Sequence, residues 1–450
     1  MNTNQIKPRI VVKPPGPKTR ELLKRTGDPI EPYPPIWGIP TVKAEGPWVE
    51  DMDGNIFLDF VSGKCVLNLG HRHPEIVAAL KKQIDQVILG ATANRFTLTE
   101  KLTRLTPGTF EKTVFFGSAG SDSIDGALKL ARWTSKRPHI LCIAGAYHGQ
   151  TYGALSVSST WSWMVRGFYP LAGIFRIPEP YCYRCPFKLE YPECGIQCLT
   201  YVEERMFTSY CPPDEVASMI VEPVFGDMGW VIPPDEYFLK LKELCDVHDI
   251  LFIADEVQTG FGRTGKWFAM DHIGIEPDIV CLGKPIASGV PLSAMVARLD
   301  LTLPKVRGGV EHFHQSFTIE ANALGCAAAL ATIRVIEQQK LLENCTKLGA
   351  YLMKRLEELK DSSEIIGEVR GRGLLCTIEI VRDRKTKDPA PKESRKICKY
   401  ALENGLYTMF MGAFSATSIR IAPPLNSTQE IIDLGIDIIE KAIVQTEHEM

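Results

Sequence analysis

Leu251-Phe-Ile-Ala-Asp255-Glu-Val-Gln258 and Asp278-Ile-Val-Cys-Leu-Gly-Lys284 are the two stretches on which the fold turns. Each holds a short apolar run of strand length and ends on a charged group. Parallel strands covered on both faces read as such near-continuous apolar runs. Ligands of open α/β sheets sit outside the carboxyl ends of those strands. A carboxylate and an amine delivered there face one crevice. Taken alone, Asp255 as a helix cap and Lys284 as a solvated loop lysine is the plainer account, since most Asp and Lys are exposed. Taken together they suit one chemistry. An amine forms a Schiff base with an aldehyde, and a carboxylate keeps a pyridine-type ring nitrogen protonated, so that the ring takes up electrons.

Other strand-and-turn patterns surround this pair. Val114-Phe-Phe-Gly runs into the small-residue turn Ser118-Ala-Gly120-Ser121-Asp122, and Ser123 to Ser135 reads as a helix. A strand, a glycine-containing turn and a helix N-terminus make a seat for a phosphate, although such turns also occur with no ligand. His139 to Ala146 reads as a strand ending in Tyr147-His148-Gly149-Gln150. Val216 to Val221 is another, ending in Glu222-Pro-Val-Phe-Gly-Asp-Met-Gly229. Helical spacing of apolar residues marks helices over 74–86, 235–248, 323–339 and 347–360. Asp53-Gly54 marks a tight turn in a hairpin from Trp48 to Phe60.

Asp255-Glu-Val-Gln-Thr-Gly-Phe-Gly-Arg-Thr-Gly265 resembles the signature of the class III aminotransferases, pyridoxal-phosphate (PLP) enzymes of fold type I. Lys284-Pro-Ile-Ala-Ser-Gly-Val-Pro-Leu-Ser-Ala294 is similar to that family's lysine segment, and the likeness runs from about Gly46 to about Leu425. The resemblance implies an α/β fold: a large domain on a mainly parallel seven-stranded sheet, plus a small α+β domain. It also implies the site. Lys284 carries PLP, Asp255 partners the ring nitrogen, and Gln258 binds the cofactor's 3-hydroxyl. Gly120 and Ser121 hold the phosphate, Tyr147 stacks on the ring, and His148 lies beside it. Thr318 reaches across a homodimer interface to the neighbour's phosphate. Arg420, in Ser418-Ile-Arg-Ile-Ala-Pro-Pro-Leu425, binds the substrate carboxylate as a planar two-pronged donor. Glu222 lies near the substrate, where it can pair with an active-site arginine, while Gln150 and Trp37 face the substrate.

The implied reaction moves an amino group from an amino acid, at its α or ω carbon, to a keto acid such as 2-oxoglutarate. The alternative is a PLP-dependent amino-acid racemase or epimerase that inverts the α-carbon with the same Lys284. Asp122 stands where transaminases usually carry Glu, and Gln150 where aminobutyrate types carry Arg. Both departures lean toward the racemase branch. Pro285 and Glu320-Ala321 are further departures, the latter in a turn where the family has Gly-Gly.

Composition sets the frame. The 450 residues carry a net charge of −3, with 45% apolar and 23% charged residues, which gives no basis for a nucleic-acid or membrane partner. No apolar leader or membrane span is visible in the sequence, so the cytoplasm is the expected location. The expected organisation is an extended N-terminal arm over 1–35, the N-terminal part of the small domain over 36–75, a large PLP-binding domain over 76–325, and a C-terminal small domain over 326–450. The large domain carries a Cys-rich insertion at 181–198, where Cys182, Cys185, Cys194 and Cys198 follow a C-x2-C-x8-C-x3-C spacing. Four such thiols hold a structural zinc, pair as disulfides, or stay reduced; the sequence leaves these open.

Overall fold

The fold is described from a computed structural model covering residues 7–28, 38–303, 305–306, 309–310, 312–412 and 417–450. Trp37 lies outside these residues. Strands β1 (Thr41–Glu45), β2 (Trp48–Asp51) and β3 (Ile56–Asp59) form an antiparallel run, with Gly54 at φ +87° in the turn between β2 and β3. Glycine takes that left-handed backbone without steric cost.

The reading of 1–35 as an extended arm needs correction, because Pro17–Thr26 is a helix. Pro17 stands at its first turn, where a missing N–H costs nothing. The Asp53 carboxylate accepts the Lys18 N–H at 2.8 Å and the Thr19 N–H at 3.0 Å. An anion on those open donors starts the helix. No proline-rich pattern announces a cap contributed from a hairpin further along the chain.

Seven strands make the central sheet: β4 (Lys112–Gly117), β5 (His139–Ile143), β6 (Ile174–Ile177), β7 (Val216–Val221), β8 (Leu251–Asp255), β9 (Ile279–Leu282) and β10 (Ser293–Arg298). Their order is β4-β10-β9-β8-β7-β5-β6. β10 runs against both its neighbours, and the other pairings are parallel. β7 is buried at every position, as its unbroken apolar sequence requires. Met219 and Val221 pack with Phe238 and Leu241 on one face, while Ile220 packs with Ile124 and Leu128 on the other.

A second, antiparallel sheet comprises Ile366–Arg372, Leu375–Ile380, Ser418–Ile421 and Met409–Met411. β3 pairs in parallel with Leu406–Tyr407, so segments from both ends of the chain share one sheet. Among the described residues no helix is long and apolar enough to cross a membrane.

In the insertion, Cys182, Cys185, Cys194 and Cys198 line one small cavity with Tyr181 and Tyr237. All four are free thiols. Burial pushes the Cys198 thiol up to about 12, with Cys182 and Cys194 adding to the effect. Among the described residues no three His, Cys, Asp or Glu side chains are grouped as metal ligands.

Candidate active site

The carboxyl ends of the parallel strands bring the predicted groups to one edge. Asp255 closes β8, Lys284 follows β9, Glu222 follows β7, Gly120 follows β4, and Tyr147 and His148 follow β5.

The seat at Lys284 is a backbone contact. Lys284 has φ +37°, a left-handed conformation uncommon for residues with a side chain and frequent at functional sites. A Cβ added to Gly283 would stand 3.1 Å from the Gly120 Cα and 3.1 Å from Val257 Cγ1. One added to Gly120 would stand 2.8 Å from Val257 Cγ1. The lysine segment and the start of helix Gly120–Ser135 approach this closely because both residues lack side chains. The first N–H groups of a helix have no partner within it and attract anions. The turn is held closed by Asp122, whose Oδ2 accepts the Ser118 and Ala119 N–H groups at 2.8 and 3.0 Å. Ser121 Oγ accepts the Gln150 N–H at 3.3 Å. Gly149, at φ +134°, is required beside it, since a Cβ there would fall 2.1 Å from Ser121 Oγ. Gln150 itself is exposed.

The carboxylates form a linked buried set. Asp255 Oδ2 lies 2.7 Å from His148 Nδ1, and Oδ1 accepts the Val257 N–H at 3.0 Å. Burial alone would lower the His148 pKa, but the Asp255 and Glu222 carboxylates outweigh it and raise the value. His148 Nε2 is buried with no hydrogen-bond partner among the described residues. Glu222 accepts the Tyr147 N–H at 3.0 Å and the Gly226 N–H at 2.8 Å. Burial pushes its carboxyl up to about 7, with His148 opposing and Asp255 adding. Tyr147 is half-buried and feels the charges of Asp227, Glu222 and Asp255. Gln258 Oε1 accepts the Trp230 indole N–H at 2.9 Å, which fixes which end of the amide is oxygen.

Arg420 is buried, donating from Nη2 to the Gly226 carbonyl at 2.7 Å and to Asp227 Oδ1 at 3.0 Å. Its guanidinium carbon lies 5.1 Å from the Trp230 ring centre. Its Nε is buried without a partner among the described residues. The expectation that Glu222 pairs with an active-site arginine is thus corrected. Both Glu222 oxygens are occupied by backbone N–H groups, and Asp227 is the partner of Arg420. Thr318 is exposed on the turn before helix Ala323–Gln338. Ala321 takes φ +46° there, the conformation glycine adopts most freely. Asn322 ties the turn to the lysine segment through the Pro291 carbonyl at 2.8 Å.

Two site residues escape the sequence reading, Asp227 and Trp230, and so does the conformation of the loop at Lys64. Asp227 lies inside the quoted Glu222–Gly229 stretch but at a position the family motif leaves unspecified. Lys64 lies in Ser62-Gly63-Lys64-Cys65, a run of four left-handed residues with φ of 48, 58, 63 and 62°. Gly63 is its one sequence signal, since three ordinary side chains in that conformation leave no periodic trace.

The set fits a phosphorylated aromatic aldehyde: open N–H groups at Gly120 and Ser121, an amine at Lys284, an aromatic at Tyr147, and a buried carboxylate at Asp255. Residues 32–443 match the family model of the class III aminotransferases. The chain belongs to the class III aminotransferases. Its cofactor is pyridoxal phosphate. An alanine/serine racemase of Pyrococcus horikoshii is 40% identical over 98% of this chain and 93% of its own. A probable 4-aminobutyrate aminotransferase of Bacillus subtilis is 33% identical over 89% and 92%. The solved structure of a PLP-bound amine transaminase from an uncultivated Pseudomonas species superposes with a TM-score of 0.83 at 31% identity, covering 90% of this chain and 95% of that one. Class III aminotransferases of fold type I thus share with this chain the mainly parallel seven-stranded sheet read from its sequence.

Proposed function

We propose a division of labour for amino transfer between an amino acid and a keto acid. The observation that carries it is the convergence of Lys284, Asp255 and the Gly120 turn at adjoining strand ends, joined through the Gly120–Gly283 contact. Lys284 holds the cofactor's aldehyde carbon, Gly120 and Ser121 its phosphate, Tyr147 a ring face, and Gln258 its 3-hydroxyl. When bound, PLP supplies an electron sink for the carbon that loses a proton. Asp255, oriented by His148, keeps a proton on the ring nitrogen. Arg420 receives the substrate carboxylate, for which its orphaned Nε is available and Nη2 is freed once the Asp227 contact rearranges. The Lys284 amine then takes the proton from the carbon bearing the nitrogen, as general base. Thr318, exposed in one subunit, completes the phosphate seat of a second, so the working unit is a homodimer. The cytoplasm is the place for it.

A racemase reading rests on the departures at Asp122 and Gln150 and on the 40% identity with an alanine/serine racemase. Both readings share Lys284, Asp255 and Arg420, and they differ in where the proton returns. The test is a panel of single L-amino acids with the PLP-loaded enzyme, with and without 2-oxoglutarate, followed by chiral chromatography. Keto acid and L-glutamate formed solely with the acceptor is the expected outcome. D-amino acid accumulating without any acceptor overturns it in favour of racemisation.

A further inference from the structure

Trp230 is buried at the end of the loop that follows Glu222, packed with Cys65, Val224, Leu375 and Ala422. Its backbone sits at φ +53°, a conformation uncommon for an aromatic residue and kept where the surroundings fix it. Reciprocal backbone hydrogen bonds between Phe225 and Val231, at 2.9 and 3.2 Å, close the loop, and the Trp230 N–H donates to the Gly226 carbonyl at 3.2 Å. The same carbonyl accepts from Arg420 Nη2 at 2.7 Å. Two parts of the indole then reach two different groups of the site. Its N–H donates to Gln258 Oε1 at 2.9 Å, and its ring centre lies 5.1 Å from the Arg420 guanidinium carbon. Gly226 leaves room for the first contact, since a Cβ there would stand 2.8 Å from Gln258 Oε1.

We propose that Trp230 is a positioning residue for both halves of the site. Its N–H turns the Gln258 amide so that the NH2 group, and not the oxygen, meets the 3-oxygen of the cofactor, and its ring holds Arg420 for the substrate carboxylate. An indole N–H only donates. The end of the amide that meets it is therefore the oxygen, and the other end is the NH2, which also only donates. A donor suits a 3-oxygen that carries negative charge, because hydrogen bonds to a charged form favour that form. Turning the amide over would set the NH2 against the indole N–H and leave buried donors unsatisfied. Of the contacts that hold Arg420, the one with the ring uses no hydrogen-bonding atom, so it persists when a carboxylate takes the place of Asp227. Trp230 thus acts through Gln258 and Arg420 without touching cofactor or substrate itself.

This inference rests on the Gln258 and Arg420 roles proposed above and holds for amino transfer and racemisation alike. The test compares wild type with Trp230→Phe, Trp230→Leu, Gln258→Met and the variant carrying both Trp230→Phe and Gln258→Met. Circular dichroism and urea denaturation check each fold. Equilibrium dialysis of the holoenzyme reads the PLP Kd, and calorimetry of the PLP-loaded enzyme reads the butyrate Kd. Phe keeps an aromatic face and removes the N–H. Trp230→Phe should therefore raise the PLP Kd about fivefold, the size of one hydrogen bond, and leave the butyrate Kd near wild type. Trp230→Leu removes the face as well and should also raise the butyrate Kd about fivefold; a butyrate Kd near wild type overturns the Arg420 half. In the Gln258→Met background Trp230→Phe should add no further loss of PLP, because the N–H then has nothing to orient. An equal loss in both backgrounds is what packing alone would give, and overturns the proposal. Gln258→Glu tests the polarity with Trp230 intact, since it still accepts from the indole and turns a second oxygen on the cofactor. Its PLP Kd should exceed that of Gln258→Met, and a lower one overturns the proposal. If Gln258→Met leaves the PLP Kd unchanged, the Gln258 role itself fails. If it weakens PLP and Trp230→Phe does not, only the Trp230 role fails.

Discussion

Glu379 and Glu222 are both buried, and their surroundings push them in opposite directions. Glu379, in Leu375–Ile380, accepts from Arg370 at 2.8 Å, from Arg184 at 2.5 Å and from the Tyr181 hydroxyl. Burial alone would raise its pKa, but the two guanidinium groups hold it below the usual glutamate value. Glu222 receives backbone N–H groups instead, and burial lifts it to about 7. Arg370 also donates to the Gly229 carbonyl at 2.7 and 3.1 Å and to Ser418 Oγ at 2.7 Å. The first region is therefore a clamp of paired opposite charges that fastens the Cys-rich insertion and the second sheet to the loop below the site. The second carries charges with unfilled hydrogen-bonding atoms, the condition of a site that exchanges protons.

Five variants break or sharpen this contrast. Lys284→Ala should lose at least about 10³-fold in turnover while its denaturation midpoint stays near wild type; surviving activity would refute the role of the amine. Arg370→Met removes the clamp's central cation, leaving buried Glu379 with Arg184 as its remaining guanidinium partner and half-buried Glu368 without its Arg370 contact. It should cost about 3–5 kcal/mol in urea denaturation, and a loss under about 1 kcal/mol would mean that the clamp behaves like a surface pair.

Glu222→Gln tests the pH dependence. A carboxyl raised in the fold stabilises the native state fully below its unfolded value, and that contribution fades as pH rises through the folded value. Between 4.5 and about 7 the wild-type apoenzyme should therefore lose on the order of 3 kcal/mol at most from Glu222, and the variant should lack that slope. Glu379, being depressed, contributes above 4.5 and loses its contribution as pH falls below that value. Glu379→Gln should thus alter the acid limb instead. Melting curves from pH 3 to 8 read both limbs. Finally, Lys354→Ala breaks an exposed pair with Glu358 at 3.7 Å and should change stability by less than about 0.5 kcal/mol.

Residues whose role follows from local chain geometry were legible in the sequence. Asp255 and Lys284 terminate apolar runs, and Gly120 opens a helix, so strand periodicity and turn composition placed them. The eleven-residue signature is more divided than it reads. Asp255 and Gln258 face the site, while Glu256 accepts from Thr259 and, at 2.9 Å, from the Met270 N–H. Arg263 donates to Asn68, to Leu374 at 3.1 Å and to Pro423 at 2.6 Å, fastening the motif to the second sheet. Partnerships across long sequence separations were not legible. The links of Asp227 to Arg420, Asp53 to the first helix and Arg370 to Gly229 each join segments whose own patterns say nothing about one another. The loop Ser62–Cys65 was hidden for a different reason, because a left-handed run has neither helical nor strand period.

The contact between Gly120 and Gly283 acts as a ruler. Two missing carbon atoms, from residues 163 positions apart in the chain, set the gap between the anion seat and the lysine backbone. Val257 touches both sides of that gap. Redesign of this enzyme for a longer or shorter cofactor analogue therefore begins at these three positions. Enlarging either glycine alone would shift the amine and the phosphate seat together, and a shortened Val257 is the compensating change to pair with it.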